Sequence, residues 1–133
     1  MRVLIVEDDP ISALLLENFI KPYGDYEIAE DGEEALLKFL LAWSVNINKP
    51  FDVILLDINL PKKQGQEVLR KIREFEAKMG ISGLLGVKII MTTALGDHKS
   101  IMEAFKGQCE DYMVKPIEKA KLIQKLEKLG LIH

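Results

Sequence analysis

Four short, largely apolar runs in this chain each break off on a charged or hydroxyl-bearing residue. Val3-Leu4-Ile5-Val6 leads into Glu7-Asp8-Asp9, and Val53-Ile54-Leu55-Leu56 leads into Asp57. Val87 to Met91 leads into Thr92-Thr93, and Tyr112 to Val114 into Lys115. Runs this short, rich in β-branched residues and without alternation, suit strands covered on both faces, as in a parallel sheet. A charged residue where such a strand emerges is where an open α/β sheet carries its ligand chemistry. In the central stretch FDVILLDINLP, Pro61 stops further strand pairing soon after Asp57.

Helical signals fill the intervals. Asp9-Pro10 reads as an N-cap followed by proline at the first helical position. The helix runs to about Lys21, with Ile11, Leu14, Leu15, Asn18 and Phe19 marking one side, and Pro22 and Gly24 end it. Tyr26 to Ala29 is a short strand. Asp31-Gly32 opens a second helix with Ala35, Leu36, Phe39 and Leu40 at helical spacing, fading near Trp43 into a polar loop, Ser44 to Pro50. A third helix starts at Gly65 or Gln66, with Val68, Leu69, Ile72 and Phe75 inward and Arg70, Lys71, Arg73 and Glu74 outward. Gly80 to Gly86 is a loop. Its glycines precede a strand instead of following one, the reverse of the dinucleotide-binding order. Ser100 to Phe105 is a short helix. The closing helix runs from Ile117 or Glu118 to Leu129, with Leu122, Ile123, Leu126 and Leu129 inward and Lys119, Lys121, Lys125 and Lys128 solvated.

Five strands alternating with five helices predict one α/β domain over residues 1–133, a doubly wound parallel sheet of order 2-1-3-4-5. A chain of 133 residues buries roughly two-thirds of its unfolded surface without staples. The formal charge of -3 argues against general nucleic-acid affinity. One cysteine, Cys109, excludes an internal disulfide, and two histidines leave no zinc-type cluster in view. No run is long enough for a signal or a membrane span, so the cytosol is the default location.

The predicted order makes the first and third strands neighbours. It brings Glu7-Asp8-Asp9, Asp57, Thr93 and Lys115 to one edge of the sheet, a coincidence that independent turn-capping would not readily produce. Several carboxylates in close range repel and need a cation. Lys115 supplies one charge, and hard oxygens without histidine or cysteine favour Mg²⁺ for the rest. A carboxylate beside such an ion can attack a phosphoryl group and form an acyl phosphate. Positioning and charge neutralisation are most of what that transfer requires. Thr93 and Lys115 are suited to hold the new phosphoryl oxygens.

The ordered set resembles the receiver domain of two-component response regulators, the CheY-like proteins, over nearly the whole chain. The matching features are Glu7-Asp8 after the first strand, Asp57, Leu60-Pro61, Gly65, Thr93-Ala94, and Tyr112 three residues before Lys115-Pro116. The resemblance implies a signalling switch, not a conventional enzyme. Asp57 would accept a phosphoryl group from a phosphohistidine on a sensor histidine kinase or histidine phosphotransfer protein. Asp8 and Asp57, with Glu7 or Asp9 partly through water and the backbone carbonyl of Asn59, would hold Mg²⁺. Glu7-Asp8 is the matched pair and Asp9 the helix cap. Lys115 would pair with Asp57 or its phosphate. Thr93 and Tyr112 would be the switch residues, altering a face from about Ser100 to Gly130 that a separate output protein reads. A receiver-like binding module that is not phosphorylated is the alternative.

The resemblance also implies a monomer or a weak phosphorylation-dependent dimer, with no nucleic-acid contact or membrane insertion of its own. A start at Met1 and an end at the last helix fit a stand-alone receiver somewhat better than a part of a longer chain. Trp43 and Cys109 read as packing residues, and His98 as a solvated loop residue. Gln108 stands where the family commonly has glycine, so that turn is expected to be built differently. The loops at Ser44 to Pro50 and Gly80 to Gly86 are several residues longer than in compact relatives, which suggests partner choice or a dimer contact. Leu95, apolar where many relatives are polar, suggests slow self-hydrolysis of the acyl phosphate.

Overall fold

The structure is a computed structural model describing residues 1–81, 85–94 and 96–133; Leu95 lies outside the described residues. In chain order the elements are β1 (Arg2–Val6), α1 (Pro10–Ile20), β2 (Asp25–Ala29), α2 (Gly32–Ala42) and β3 (Val53–Asp57). They continue with α3 (Gly65–Lys78), β4 (Lys88–Thr93), α4 (His98–Lys106), β5 (Asp111–Val114) and α5 (Lys119–Lys128). The strands form one sheet of order β2-β1-β3-β4-β5, and every neighbouring pair is parallel. The predicted topology is therefore the observed one.

The continuous apolar runs follow from this arrangement, because successive side chains point to opposite faces and both faces are buried. Leu4, Val6, Ile54, Leu56, Ile89 and Met91 meet Phe39 of α2, Val68, Leu69 and Ile72 of α3, and Ala104 of α4. Val3, Ile5, Val53, Leu55, Ile90 and Met113 meet Leu16 and Ile20 of α1 and Leu122 and Leu126 of α5. At the β2 edge, the Lys38 ammonium of α2 donates to the Ile28 carbonyl at 2.6 Å.

Four local expectations are corrected. α1 buries Ala13, Leu16 and Ile20, while Ile11 and Leu14 are 78% and 55% exposed. The helix is apolar nearly all round, so period alone left its phase open, and small Ala13 sits on the side that approaches the sheet. In α2, Ala35 and Phe39 are buried but Leu40 is exposed, with Ala42 on the inner side instead. His98 is the first residue of α4, not a loop residue, because Asp97 caps the helix by accepting from the Ser100 amide. Arg73 is not a solvated position.

The Arg73 side chain is only 9% exposed and ties three segments together at the amino-terminal edge of the sheet. Its Nη1 donates to Glu76 Oε1 at 2.7 Å and to the Val87 carbonyl at 2.9 Å. Its Nη2 donates to Glu110 Oε1 at 2.9 Å, and its Nε to the Gln108 carbonyl at 3.0 Å. Glu76 and Glu110 in turn accept from the Val87 and Ile89 amides, both at 2.7 Å. Burial raises the Glu110 carboxyl above its ordinary value, against the Ile89 amide and the Arg73 charge. Gln108 does build an unusual turn: its φ is +71°, in the left-handed region, while its carbonyl faces the guanidinium. Cys109 is buried beside this turn, and burial pushes its thiol up to about 11.

Arg73→Met would strip buried Glu76 and Glu110 of the guanidinium that joins them. It should cost about 3–5 kcal/mol of unfolding free energy in urea titration. Arg70→Met, on the exposed side of α3, should cost less than ~1 kcal/mol. Equal losses in the two variants would remove the distinction between them.

Candidate functional site at the carboxyl edge of the sheet

Because all five strands are parallel, their carboxyl ends gather on one edge. β1 hands its chain to Glu7, whose amide donates to the Ala29 carbonyl at 3.0 Å and whose side chain is buried. Asp8 follows, exposed, and Asp9 caps α1 by accepting from the Ser12 amide at 3.2 Å and its hydroxyl at 2.6 Å. Asp9 is thus engaged as a cap, as its place before Pro10 predicted.

Asp57 is the last residue of β3, paired in register with Thr92 of β4, and is 3% exposed. One of its oxygens, Oδ1, accepts from the Asn59 amide at 3.0 Å, and Oδ2 accepts from Lys115 Nζ at 2.8 Å. The chain turns tightly behind it. Gly65 donates its amide to the Ile58 carbonyl at 2.8 Å, and a Cβ at position 65 would stand 2.2 Å from the Asp57 carbonyl oxygen. Only glycine permits that approach.

Lys115 follows β5 and is held by its own backbone, the amide donating to the Thr93 carbonyl at 2.8 Å. The Lys115–Pro116 peptide is cis. Its ammonium bridges Asp57 and Glu7, reaching Glu7 Oε1 at 2.5 Å. The sequence set this lysine against the acidic cluster as a whole and paired it with Asp57 or its phosphate; the direct bond to Glu7 is the structure's addition. Nothing short of the sheet order could have signalled it, since 108 residues separate the two.

The electrostatics follow from crowding. Burial, then the neighbouring Asp57 carboxylate, push the Glu7 carboxyl up to about 7, and Lys115 only partly offsets this. Burial alone would lower the Lys115 ammonium, but its bonds to Asp57 and Glu7 outweigh that and hold it above the ordinary lysine value. Carboxylate oxygens of Glu7, Asp8 and Asp57 all lie within 4.8 Å of one another. This all-oxygen set, partly open through exposed Asp8, is of the kind that takes a hard divalent cation. Asn59 contributes its amide to Asp57, and its side chain is exposed.

Thr93 is fully buried at the end of β4, with Oγ1 donating weakly to the Ala94 carbonyl at 3.4 Å. Tyr112, half-buried on β5, meets Phe105 of α4 edge-on at 6.0 Å, and Lys125 Nζ of α5 lies 5.9 Å from its ring centre. Lys125 also pairs with Asp111 at 2.9 Å, so it is not merely solvated. The structure thus brings Glu7, Asp8, Asp57 and Lys115 into one cluster, with Asn59 at its rim. Tyr112 stands apart, between α4 and α5. Beside the acidic edge, a cleft of about 320 Å³ runs between Glu7, Asp8, Leu14, Glu17 and Ile28. Exposed Leu14 of α1 lines it, and Ile11 and Leu15 of the same helix are exposed as well, a feature hidden from the sequence reading by the misjudged phase of that helix.

Comparison with known proteins agrees with this arrangement. The response regulator receiver domain family model matches residues 3–127. The chemotaxis protein CheY of Thermotoga maritima is 29% identical over 132 residues, covering 97% of each chain. The receiver domain of a response regulator from Saccharomyces cerevisiae, solved in complex with a histidine phosphotransfer signaling protein, superimposes with a TM-score of 0.83 at 29% identity, covering 98% of this chain and 88% of that one. The receiver domain of a sensor histidine kinase from Pseudomonas aeruginosa, solved with magnesium coordinated in its active-site cleft, gives a TM-score of 0.77 at 26% identity, covering 97% of each. No helix among the described residues is long and apolar enough to cross a membrane. With its sheet order, its acidic edge and a family match along almost its whole length, the chain belongs to the response regulator receiver domain family, as a CheY-like receiver of two-component signalling.

Proposed function

We propose that this chain is a single receiver domain, acting in the cytoplasm as a phosphorylation-driven switch with Asp57 as the phosphoacceptor. The observation that carries the reading is the engagement of Asp57. One oxygen is held by the Asn59 amide and the other by the Lys115 ammonium, with two further carboxylates in reach. A carboxylate oxygen of Asp57 attacks the phosphorus of a partner's phosphohistidine. The P–N bond breaks, its electron pair and a proton end on the imidazole, and an acyl phosphate remains on Asp57. Glu7, Asp8, Asp57 and the Asn59 carbonyl would hold Mg²⁺, which supplies charge neutralisation for the transferring phosphoryl oxygens. Lys115 sits where it can hold one of those oxygens, and the Thr93 hydroxyl takes another. The same residues would permit slow self-phosphorylation from small acyl-phosphate donors.

Adding about -1.5 to -2 charge at this edge is the local event. Thr93 and Tyr112 would carry it to the face formed by α4, β5 and α5, where a separate output protein reads it. Phe105 and Lys125, which flank the Tyr112 ring, are the contacts that a Tyr112 movement must break. The donor is a sensor histidine kinase or a histidine phosphotransfer protein. Exposed Ile11, Leu14 and Leu15 beside the acidic edge offer it an apolar seat, and a structural neighbour solved with a phosphotransfer protein supports that class of partner.

Intact mass after incubation with a small acyl-phosphate donor should rise by one phosphoryl group, only with Mg²⁺ present and not in Asp57→Asn. No gain in the wild-type protein would move the reading to a binding module that is not phosphorylated. With a phosphohistidine donor protein, Leu14→Glu should slow transfer at least about tenfold, equivalent to ~1.4 kcal/mol. The same variant should leave the small-donor rate unchanged, and equal slowing with both donors would place the defect in the chemistry instead.

The Glu7 shift gives a pH dependence with a defined sign. Below its ordinary value of 4.5 the group is protonated folded and unfolded; between 4.5 and about 7 the folded protein holds a proton the unfolded chain has lost. Stability of the metal-free protein should therefore fall as pH rises through that window and then level off. Glu110 contributes with the same sign, so Glu7→Gln should flatten the fall without abolishing it. Thermal melts between pH 4 and 8 read this, and Mg²⁺ should restore the lost stability at the alkaline end.

A further inference from the structure

The chain between Asp57 and α3 contains a turn that an ordinary side chain does not favour. The Lys63 amide donates to the Pro61 carbonyl at 2.7 Å, closing a three-residue turn, and Lys62 at its centre has a φ of +64°. That is the rarer, strained form of the γ-turn, and such backbone persists only where its surroundings over-determine it. The segment is fixed at its base, where the Ile58 amide donates to the Thr92 carbonyl at 3.0 Å and the Gly65 amide returns to the Ile58 carbonyl. Those bonds leave the turn itself unheld.

The start of α2 holds it. All three turn residues meet Asp31 or Gly32. The Gly32 amide donates to the Pro61 carbonyl at 3.4 Å, and Asp31 Oδ2 pairs with Lys62 Nζ at 3.5 Å. Gly32 also packs directly on Lys63: a Cβ at position 32 would stand 2.3 Å from the Lys63 carbonyl oxygen and 2.6 Å from the Lys63 Cβ. The brace is itself anchored, because Asp31 caps α2 by accepting from the Glu34 amide at 2.8 Å, and Ala35 and Phe39 of that helix are buried. Capping calls for an acceptor at Asp31 but places no such demand on Gly32. The close approach to Lys63 is what excludes a side chain there.

The turn begins two residues beyond Asn59, whose amide holds Asp57 and whose carbonyl is assigned above to Mg²⁺. The Asn59 side chain is exposed, so its backbone is aimed by the chain on either side of it. We propose that Asp31 and Gly32 are positioning residues for the metal: the start of α2 braces the turn from Pro61 to Lys63 and thereby holds the Asn59 carbonyl at the acidic edge. Neither residue touches the ion or the phosphoryl group, and both act through the turn. The inference rests on the reading of Asn59 as a metal ligand. Supporting residues of this kind commonly change metal affinity by about 10- to 100-fold when altered.

Titration of the full chain with Mg²⁺, followed by the NMR shifts of the Asp57, Ile58 and Asn59 amides, reads the affinity, and melts without metal read the fold. Gly32→Ala should weaken Mg²⁺ binding about tenfold or more. Lys62→Met is the discriminating variant. It removes a positive charge from the neighbourhood of the carboxylates, so charge alone would tighten binding. Loss of the brace should instead weaken it, by about twofold for so exposed a pair. Asp31→Asn keeps an oxygen for the Glu34 amide, so it should cap α2 as before and weaken binding by a similar factor. The double variant Asp31→Asn, Lys62→Met should bind no more weakly than Asp31→Asn alone, since the pair is already broken. These last three chains should melt close to the wild type without metal. If Gly32→Ala does not fold, the Lys62→Met result decides alone. Wild-type affinity in Gly32→Ala, or tighter binding in Lys62→Met, overturns the proposal and leaves the metal site standing. A wild-type chain whose amides ignore Mg²⁺ overturns the metal reading itself, and the proposal with it.

Discussion

One ammonium holds the carboxyl edge of this sheet together. Lys115 is bonded to both Glu7 and Asp57, and those two carboxylates are almost wholly withdrawn from water. Without a cation between them, β1 and β3 would end on like charges in a poorly solvated space. The lysine comes from the opposite end of the sequence, so the fold has to be nearly complete before the charges are balanced. The backbone makes the balance possible: the Lys115 amide is tied to Thr93, and Thr93 extends the strand that pairs with β3. Site and sheet are one construction.

The fold was legible because its main constraint is compositional. A strand buried on both faces must be apolar at consecutive positions, so β1, β3 and β4 announced themselves, and the polar residue after each gave the edge. Asp57, Lys115 and the Glu7-Asp8 pair could be read for the same reason. What escaped was orientation. α1 carries apolar residues all round, and its phase follows from which side fits against Val3 and Ile5, a tertiary fact absent from the periodicity. Arg73 escaped for a different reason. A basic residue on an amphipathic helix is ordinarily solvated, and its three anchors (Glu76, Val87 and the Gln108–Glu110 turn) come together only when α3, β4 and β5 are in place. Tyr112 was identifiable by its spacing from Lys115, but its neighbours Phe105 and Lys125 were not.

Charged clusters occupy both ends of the sheet, and they differ in kind. At the carboxyl edge, acidic groups outnumber the single lysine and Asp8 remains open to solvent, so the cluster has capacity for another cation. At the amino edge, Arg73 is engaged by carboxylates, carbonyls and a turn together, and its charge is spent. The first arrangement suits exchange and the second suits permanence. An acidic edge partly open to solvent is thus mounted on a sheet whose far end is clamped.

The bond from Lys38 to the Ile28 carbonyl bears on how copies of this molecule coexist at high concentration. An outermost strand with free carbonyls is a template on which another chain can crystallise as an additional strand, the first step of fibrous association. Here that template is stoppered by an ammonium from the adjacent helix, itself steadied by Glu34. Sheet growth through β2 would have to expel a charge into a forming hydrogen-bonded ribbon. The molecule therefore carries, on the side remote from β5, a built-in guard against polymerisation.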